Sequence, residues 1–270
     1  MTDTIHYAID TNQIGTLCIN RPDSRNALNW EAQQGFATAV QQISDQPPAV
    51  LIITGTGDQA FISGGDLREL DHHKQTGKQL NTVMTNALNR LHQLPCPVIG
   101  AINGHAIGGG AEIVTATDLR VMSDQAQIRF VQVRMGLTTG WGGLGRLVPL
   151  VGQSHAMELL LAAKPVTAQE ALAIGLVHRI APRGEVLSAA QSWAKELAQL
   201  PHAALGPLKS LVYQTSQPDE TFKTIEANTF IDIFGNADNQ EAVTAFKEKR
   251  KPIFNRPNRT TSQSDTNKVA

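Results

Sequence analysis

The sequence predicts an α/β fold with parallel strands at its centre and a mostly helical C-terminal quarter. Three observations carry that prediction. AVLIITGTG, residues 49–57, is a continuous apolar run closed by glycines, the pattern of a strand buried on both faces. The order strand, glycine loop, helix occurs twice, in FISGGDLREL (61–70) and in PVIGAINGHAIGGGAEI (97–113), as α/β folds with parallel sheets require. Toward the C-terminus, 184–199 and roughly 218–248 carry apolar residues at helical spacing.

The elements follow in order. IHYAID (5–10) and GTLCIN (15–20) flank the turn-prone TNQI and read as a β-hairpin. RPDSRNAL reads as a loop. In NWEAQQGFATAVQQISD the residues Trp30, Phe36, Val40 and Ile43 recur at helical spacing, with Asn29 as N-cap. After the 49–57 strand, FISGGDLREL is a glycine loop opening a helix. A longer helical pattern over about 76–94 buries Leu80, Met84, Leu88 and Leu91 and ends before Pro95. Strand PVIGAING, a glycine loop and helix AEIVTATD come next. LRVMS and QIRFV are short strands, and 154–163 and 167–174 are helices. Residues 1–200 form the α/β core, 201–254 a helical extension and 255–270 a polar, disordered tail.

Composition narrows the function. With 270 residues, 41% hydrophobic, the chain can bury a large core. A formal net charge of -1 leaves no footprint for nucleic acid or an anionic membrane. No stretch is long and apolar enough for a membrane span, and the N-terminus lacks the basic and apolar regions of a signal peptide, so it reads as mature protein. Cys18 and Cys96, both in apolar settings, suit small buried side chains of a reduced, cytoplasmic protein. His72 and His73 lack metal-ligand spacing and read as a solvated pair, so no metal is expected. Ser63 is no nucleophile, because FISGG is not the G-x-S-x-G elbow.

The glycine stretch HAIGGGAEI, with Gly108, Gly109 and Gly110 followed by Glu112, fits neither the dinucleotide fingerprint nor the P-loop. Two readings stand: close packing of a strand on a helix, or an anion site beside free helix N–H groups. Two such glycine loops side by side would present two backbone N–H groups to one carbonyl oxygen, an oxyanion hole. His105, just before the glycines, either lines that site or is a hydrogen-bonded structural histidine.

NRPDSRNAL, AFISGGDL, PVIGAINGHAIGGGAEI, ATDLRVMS, QIRF, GWGGLGRLVPLVG, AQEALAIGLVHRI and AFKEKRKPIF occur in this order between about Ile5 and Phe254. On these signatures the sequence resembles the crotonase, or enoyl-CoA hydratase/isomerase, superfamily. The resemblance implies a spiral of ββα turns forming stacked sheets, with C-terminal helices that pack subunits as a homotrimer or a dimer of trimers. It implies an acyl-CoA thioester as substrate, coenzyme A entering as part of the substrate and no permanently bound cofactor. The family's oxyanion donors fall on the N–H groups of Gly65 and Gly109. Contacts to the adenine and phosphate end of coenzyme A fall near Arg25, Ala27, Ser63 and Asp66, and Phe246 and Lys249 reach a neighbouring subunit's substrate.

The family's hydratases use two glutamates, which correspond to Glu112 and to position 132. Here position 132 is Gln132, an amide that cannot exchange a proton near neutrality. The run IRFVQVRMG…WGG is most similar to the ethylmalonyl- and methylmalonyl-CoA decarboxylase branch, in which Trp141 would supply an apolar wall. The expectation is therefore a lyase that decarboxylates a malonyl-type acyl-CoA with Glu112 as acid. Two alternatives are a hydratase or isomerase working with one glutamate, and a catalytically silent acyl-CoA-binding protein.

Overall fold

The computed structural model of the protein describes residues 4–69, 74–214 and 219–254. His72, His73 and the 255–270 tail lie outside the described residues, as does the side chain of Phe222.

The strands are β1 (Ile5–Ile9), β2 (Ile14–Ile19), β3 (Val50–Gly55), β4 (Ala60–Ile62), β5 (Val98–Ile102), β6 (His105–Ile107), β7 (Leu119–Ser123), β8 (Gln127–Arg129), β9 (Val166–Thr167) and β10 (Arg179–Ala181). The helices are α1 (Trp30–Asp45), α2 (Lys74–His92), α3 (Gly109–Thr115), α4 (Gly143–Ala162), α5 (Ala168–Ala173), α6 (Val186–Ala198), α7 (His202–Gln214), α8 (Glu220–Ile233) and α9 (Ala237–Lys247).

A larger sheet has the order β1-β2-β3-β5-β7-β10 and a smaller one β4-β6-β8-β9. Successive strand pairs β3/β4, β5/β6 and β7/β8 each put their first strand in the large sheet and their second in the small one. Their stacking is parallel in both sheets. This is the spiral of ββα turns that the resemblance implies. The β1–β2 hairpin is antiparallel, pairing Ile5 with Ile19 and Ile9 with Gly15.

The apolar run of β3 is buried at every position. Its side chains alternate: Leu51 and Ile53 join the core beneath α1 and α2, while Val50 and Ile52 join a second cluster capped by Val186, Ala190 and Ala194 of α6. Each such side chain contributes about 1.5–3 kcal/mol by leaving water. Asn29 caps α1 as expected, its side chain accepting from Ala32 N.

Several boundaries differ from the sequence reading. Among the described residues, Gly64 and Gly65 lead into a turn at 67–69, and α2 is described from Lys74. The helix expected from 154 begins at Gly143, with Gly152 kinking it at φ 75°. Glycines and Pro149 disguise its first half as a loop. The pattern over 218–248 is two helices, divided at Gly235 with Asn236 capping α9. α7 falls in the helical extension expected over 201–254, although Gly206 and Pro207 hide its bounds.

Buried asparagines fix the crossing between the sheets. Asn103, between β5 and β6, donates to the carbonyls of Gly55 (2.8 Å) and Gly57 (2.6 Å) and accepts from Thr54 Oγ1 (3.1 Å) and Gly55 N (3.2 Å). Asn26 donates to the carbonyls of Thr56 (3.0 Å) and Ala60 (2.8 Å). Asn103→Ala removes four hydrogen bonds, three of them buried. The expected loss is about 2–4 kcal/mol in urea unfolding, and a change below about 0.5 kcal/mol would show that the crossing does not depend on it.

Candidate active site

Each residue of the glycine triplet has its own reason to lack a side chain. Gly108 turns the chain between β6 and α3 at φ 56°. A Cβ on Gly109 would stand 2.2 Å from the Trp141 ring, and one on Gly110 would stand 1.8 Å from the Ile62 carbonyl oxygen. The helix α3 is thereby pressed onto both β4 and an indole. Close packing, one of the two readings of this stretch, accounts for Gly109 and Gly110.

The two glycine loops adjoin. Gly64, at φ 86°, is so near the second loop that an added Cβ would lie 3.1 Å from Gly109 N. Leu28 pairs with the first loop through Leu28 N to Gly64 O (2.8 Å) and Asp66 N to Leu28 O (3.0 Å). In such a parallel bridge the N–H of the intervening Gly65 is directed away from Leu28. Gly65 and Gly109 line one cavity of 120 Å³, together with Glu112, Gln132, Trp141 and Phe230.

Glu112 is 2% exposed. Its Oε1 accepts from Gln132 Nε2 (2.9 Å) and Gly140 N (3.2 Å), and its Oε2 from Trp141 N (2.8 Å) and Gly143 N (2.9 Å). Burial pushes its carboxyl above the usual carboxylate range, and the negative charge of Glu226 adds to this. The hydrogen bonds pull the other way. Glu226, on α8, accepts from Thr139 Oγ1 (2.6 Å), Leu144 N (2.9 Å) and Gly145 N (3.4 Å). The first three N–H groups of α4 are thus divided between two buried carboxylates, the pairing that a helix amino end favours. Arg146, one turn further on, is held by Asn89 and Thr115 and supplies nearby positive charge.

Trp141, at 6% exposure, lines the cavity and packs in the core. Phe230 and Phe234 also line it, pack with Leu80 and are buried within the chain.

His105 is not part of this cavity. It lines a second, polar cavity of 340 Å³ with Arg25, Asp58, Arg183 and Ser63, and its Nδ1 accepts from Gln127 N (3.1 Å). Ser63 borders both cavities. Arg25 stands at φ 53° at the end of a short 3-10 turn. Asp66 is buried and paired with Arg21 (3.1 Å) and Arg68 (3.3 Å). Ala27 is buried, and its carbonyl accepts from Arg21. Phe246, in the last turn of α9, is 55% exposed, and Lys249 lies beyond the helix at φ 55°. Neither lines these cavities.

Sequence reasoning missed Glu226, Arg146, Arg183 and the main-chain donors at Gly140 and Gly143. A glutamate in an amphipathic helix carries no mark of burial, and main-chain donors leave no residue type to read. The glycines of GWGG were the available signal.

The family model for enoyl-CoA hydratase/isomerase matches residues 10–257. This chain belongs to the enoyl-CoA hydratase/isomerase family. Within it, the chain is 33% identical over 242 residues to the short-chain-enoyl-CoA hydratase of Clostridium acetobutylicum, covering 88% of this chain and 93% of that protein. It is 32% identical over 235 residues to the ethylmalonyl-CoA decarboxylase of Xenopus laevis, covering 85% and 79%. Among solved structures, an enoyl-CoA hydratase/isomerase from Pseudoalteromonas atlantica T6c superposes with a TM-score of 0.81 at 26% identity, over 94% of this chain and 100% of that one. The enoyl-CoA hydratase of Bacillus anthracis gives 0.77 at 29% identity, over 93% and 99%.

A Cβ on Gly143 would fall 2.5 Å from Glu112 Cγ and 2.7 Å from Oε2. Gly143→Ala must therefore push the carboxylate off its Trp141 and Gly143 donors. Loss of two charge-assisted bonds predicts a rise in the Glu112 titration midpoint of about one pH unit or more, read by carboxyl 13C NMR. An unmoved midpoint would show that these N–H groups do not hold it.

Proposed function

We propose that this protein is a lyase that decarboxylates a malonyl-type acyl-CoA. The observation that carries the reading is the pairing of Glu112 with an amide. Glu112 is the one carboxylate among the described residues of the 120 Å³ cavity, and its neighbour at the second catalytic position is Gln132. Glu226 does not line that cavity. One proton donor suffices for decarboxylation, whereas addition of water across a double bond by the two-carboxylate route needs a second group able to exchange a proton. The ethylmalonyl-CoA decarboxylase relative, at 32% identity, supports the same choice.

In this reading the N–H groups of Gly65 and Gly109 hold the thioester oxygen. The substrate carboxylate is poorly solvated against the Trp141 face, which favours its departure as CO2. As the bond from the α-carbon to the carboxylate breaks, its electron pair enters the enolate, whose oxygen charge the two donors stabilise. Removing one such donor typically costs about 3–4 kcal/mol of barrier. Glu112 in its protonated form, which burial favours, then gives its proton to the α-carbon, and the product is the shortened acyl-CoA. The neutral form also lacks the repulsion that an ionised glutamate would exert on the substrate.

The polar cavity fits the remainder of the substrate. Arg25 and Arg183 offer positive charge to the phosphates of coenzyme A, and Ser63 borders both this cavity and that of the glycine loops. Asp66 contributes by holding Arg21 and Arg68 in place. A homotrimer or dimer of trimers belongs to the same reading: Leu208, Leu211, Val212 and Ile225 on α7 and α8 are each more than half exposed. Phe246 and Lys249 then meet a neighbouring subunit's substrate. The cytoplasm, with its acyl-CoA pool, is the proposed location.

The test presents malonyl-, methylmalonyl-, ethylmalonyl- and crotonyl-CoA to the enzyme and follows products by mass spectrometry. CO2 loss from a malonyl-type thioester, without hydration of crotonyl-CoA, is expected. Gln132→Glu should lower that rate roughly tenfold or more, since it adds a negative charge beside an anionic substrate. Hydration of crotonyl-CoA with no decarboxylation would overturn the reading in favour of a one-glutamate hydratase. No turnover of any thioester, with binding retained, would favour a silent acyl-CoA-binding protein.

A further inference from the structure

The four donors around Glu112 raise a problem for its neutral form. A carboxyl proton needs an acceptor, and three of the four neighbours are main-chain N–H groups that can only donate. Both partners of Oε2 are of this kind, so a proton there would displace a main-chain bond. Oε1 differs, because one of its two partners is the Gln132 amide. An amide presents either a donor or an acceptor, depending on which way it is turned.

A second observation bears on the same side chain. Gln132 is 8% exposed, and its Oε1 is buried with no hydrogen-bond partner among the described residues. A buried carbonyl left unpaired costs about 1–3 kcal/mol. The present orientation satisfies ionised Glu112 at the expense of Gln132 Oε1. Turning the amide over would bring that orphaned oxygen to the one place where a proton on Glu112 can be accepted.

We propose that Gln132 is a positioning residue whose amide turns over as Glu112 changes protonation state, Nε2 donating to the carboxylate and Oε1 accepting from the neutral carboxyl. The charged groups bearing on Glu112 from the packed elements are Glu226 on α8 and Arg146 on α4, and both keep their own hydrogen-bond partners in either state. Only the Gln132 amide can change sides without breaking a main-chain bond. The inference deepens the function proposed above, because an acid that gives up and regains a proton in each cycle must be accommodated in both forms. A glutamate at position 132 would itself carry a proton or a charge. The amide serves both states of Glu112 and does neither.

The test is how far the Glu112 titration midpoint moves in Gln132→Leu. It is read without substrate by 13C NMR of carboxyl-labelled protein, with the resonance assigned from Glu112→Gln. A fixed amide that only donates stabilises the ionised form alone, so its removal raises the midpoint by about one pH unit or more. An amide that turns over holds both forms, so its removal takes a bond from each, and the midpoint moves by well under about one pH unit or falls. A rise of about one pH unit or more overturns the proposal. Neutron diffraction from wild-type crystals on either side of the midpoint gives a second reading that needs no variant. Deuterons of Nε2 should face Glu112 at high pH, and a deuteron on Glu112 Oε1 should face Gln132 Oε1 at low pH. The same amide orientation at both would sink it. Neither measurement involves turnover, so the amide can fail this test while decarboxylation stands, and the reverse.

Discussion

The site depends on one interaction, the seating of the Glu112 carboxylate on the amino end of α4. Gly143 N and the preceding Trp141 and Gly140 N–H groups hold it, and Leu144 and Gly145 hold Glu226 beside it. A buried carboxylate costs several kcal/mol to desolvate. Charge-assisted hydrogen bonds of about 1.5–3 kcal/mol each recover much of that. Burial and the second carboxylate still win, so the carboxyl of Glu112 lies above its ordinary range. The group is thereby held by four donors while its burial favours the protonated form.

The scaffold exists to bring this helix end to the two glycine loops. Stacking β3, β5 and β7 in one sheet and β4, β6 and β8 in the other places equivalent loops on successive turns next to each other. Asn26 and Asn103 pin the crossings, and Gly110 lets α3 lie against the Ile62 carbonyl. Trp141 then couples the two halves, since its main-chain N–H holds Glu112 while its ring packs on Gly109. A change at this indole would disturb the acid, the cavity wall and one candidate donor together.

Much of this was legible in the sequence, for reasons that differ by element. The alternation of β3 into two cores, the cap at Asn29 and the two glycine loops follow from local pattern and sterics. The ordered signatures made the family readable, and Gln132 stood out because an amide replaces a carboxylate. His105 was ambiguous and belongs to the polar cavity, since the side chain of a residue within β6 is directed by strand alternation rather than by its distance from the glycines. The start of α4 was hidden because its glycines serve Glu112 and its Pro149 imitates a break. Glu226 was invisible: what makes it special is its burial against a helix end distant in sequence, and no local spacing encodes that.

The central claim is that the glycine loops and Glu112 act on one α-carbon through an enolate, and exchange of α-hydrogens in D2O tests it most directly. Butyryl-CoA has no carboxylate to lose and no double bond to hydrate, so label can enter only by enolate formation. Incubated with the protein and followed by mass spectrometry, it should take up deuterium at the α-carbon, at one of the two prochiral positions. Uptake should fall by the roughly 10²–10⁴-fold typical of one positioned acid or base in Glu112→Gln. No uptake by the wild-type protein, or uptake unchanged in Glu112→Gln, would contradict the account.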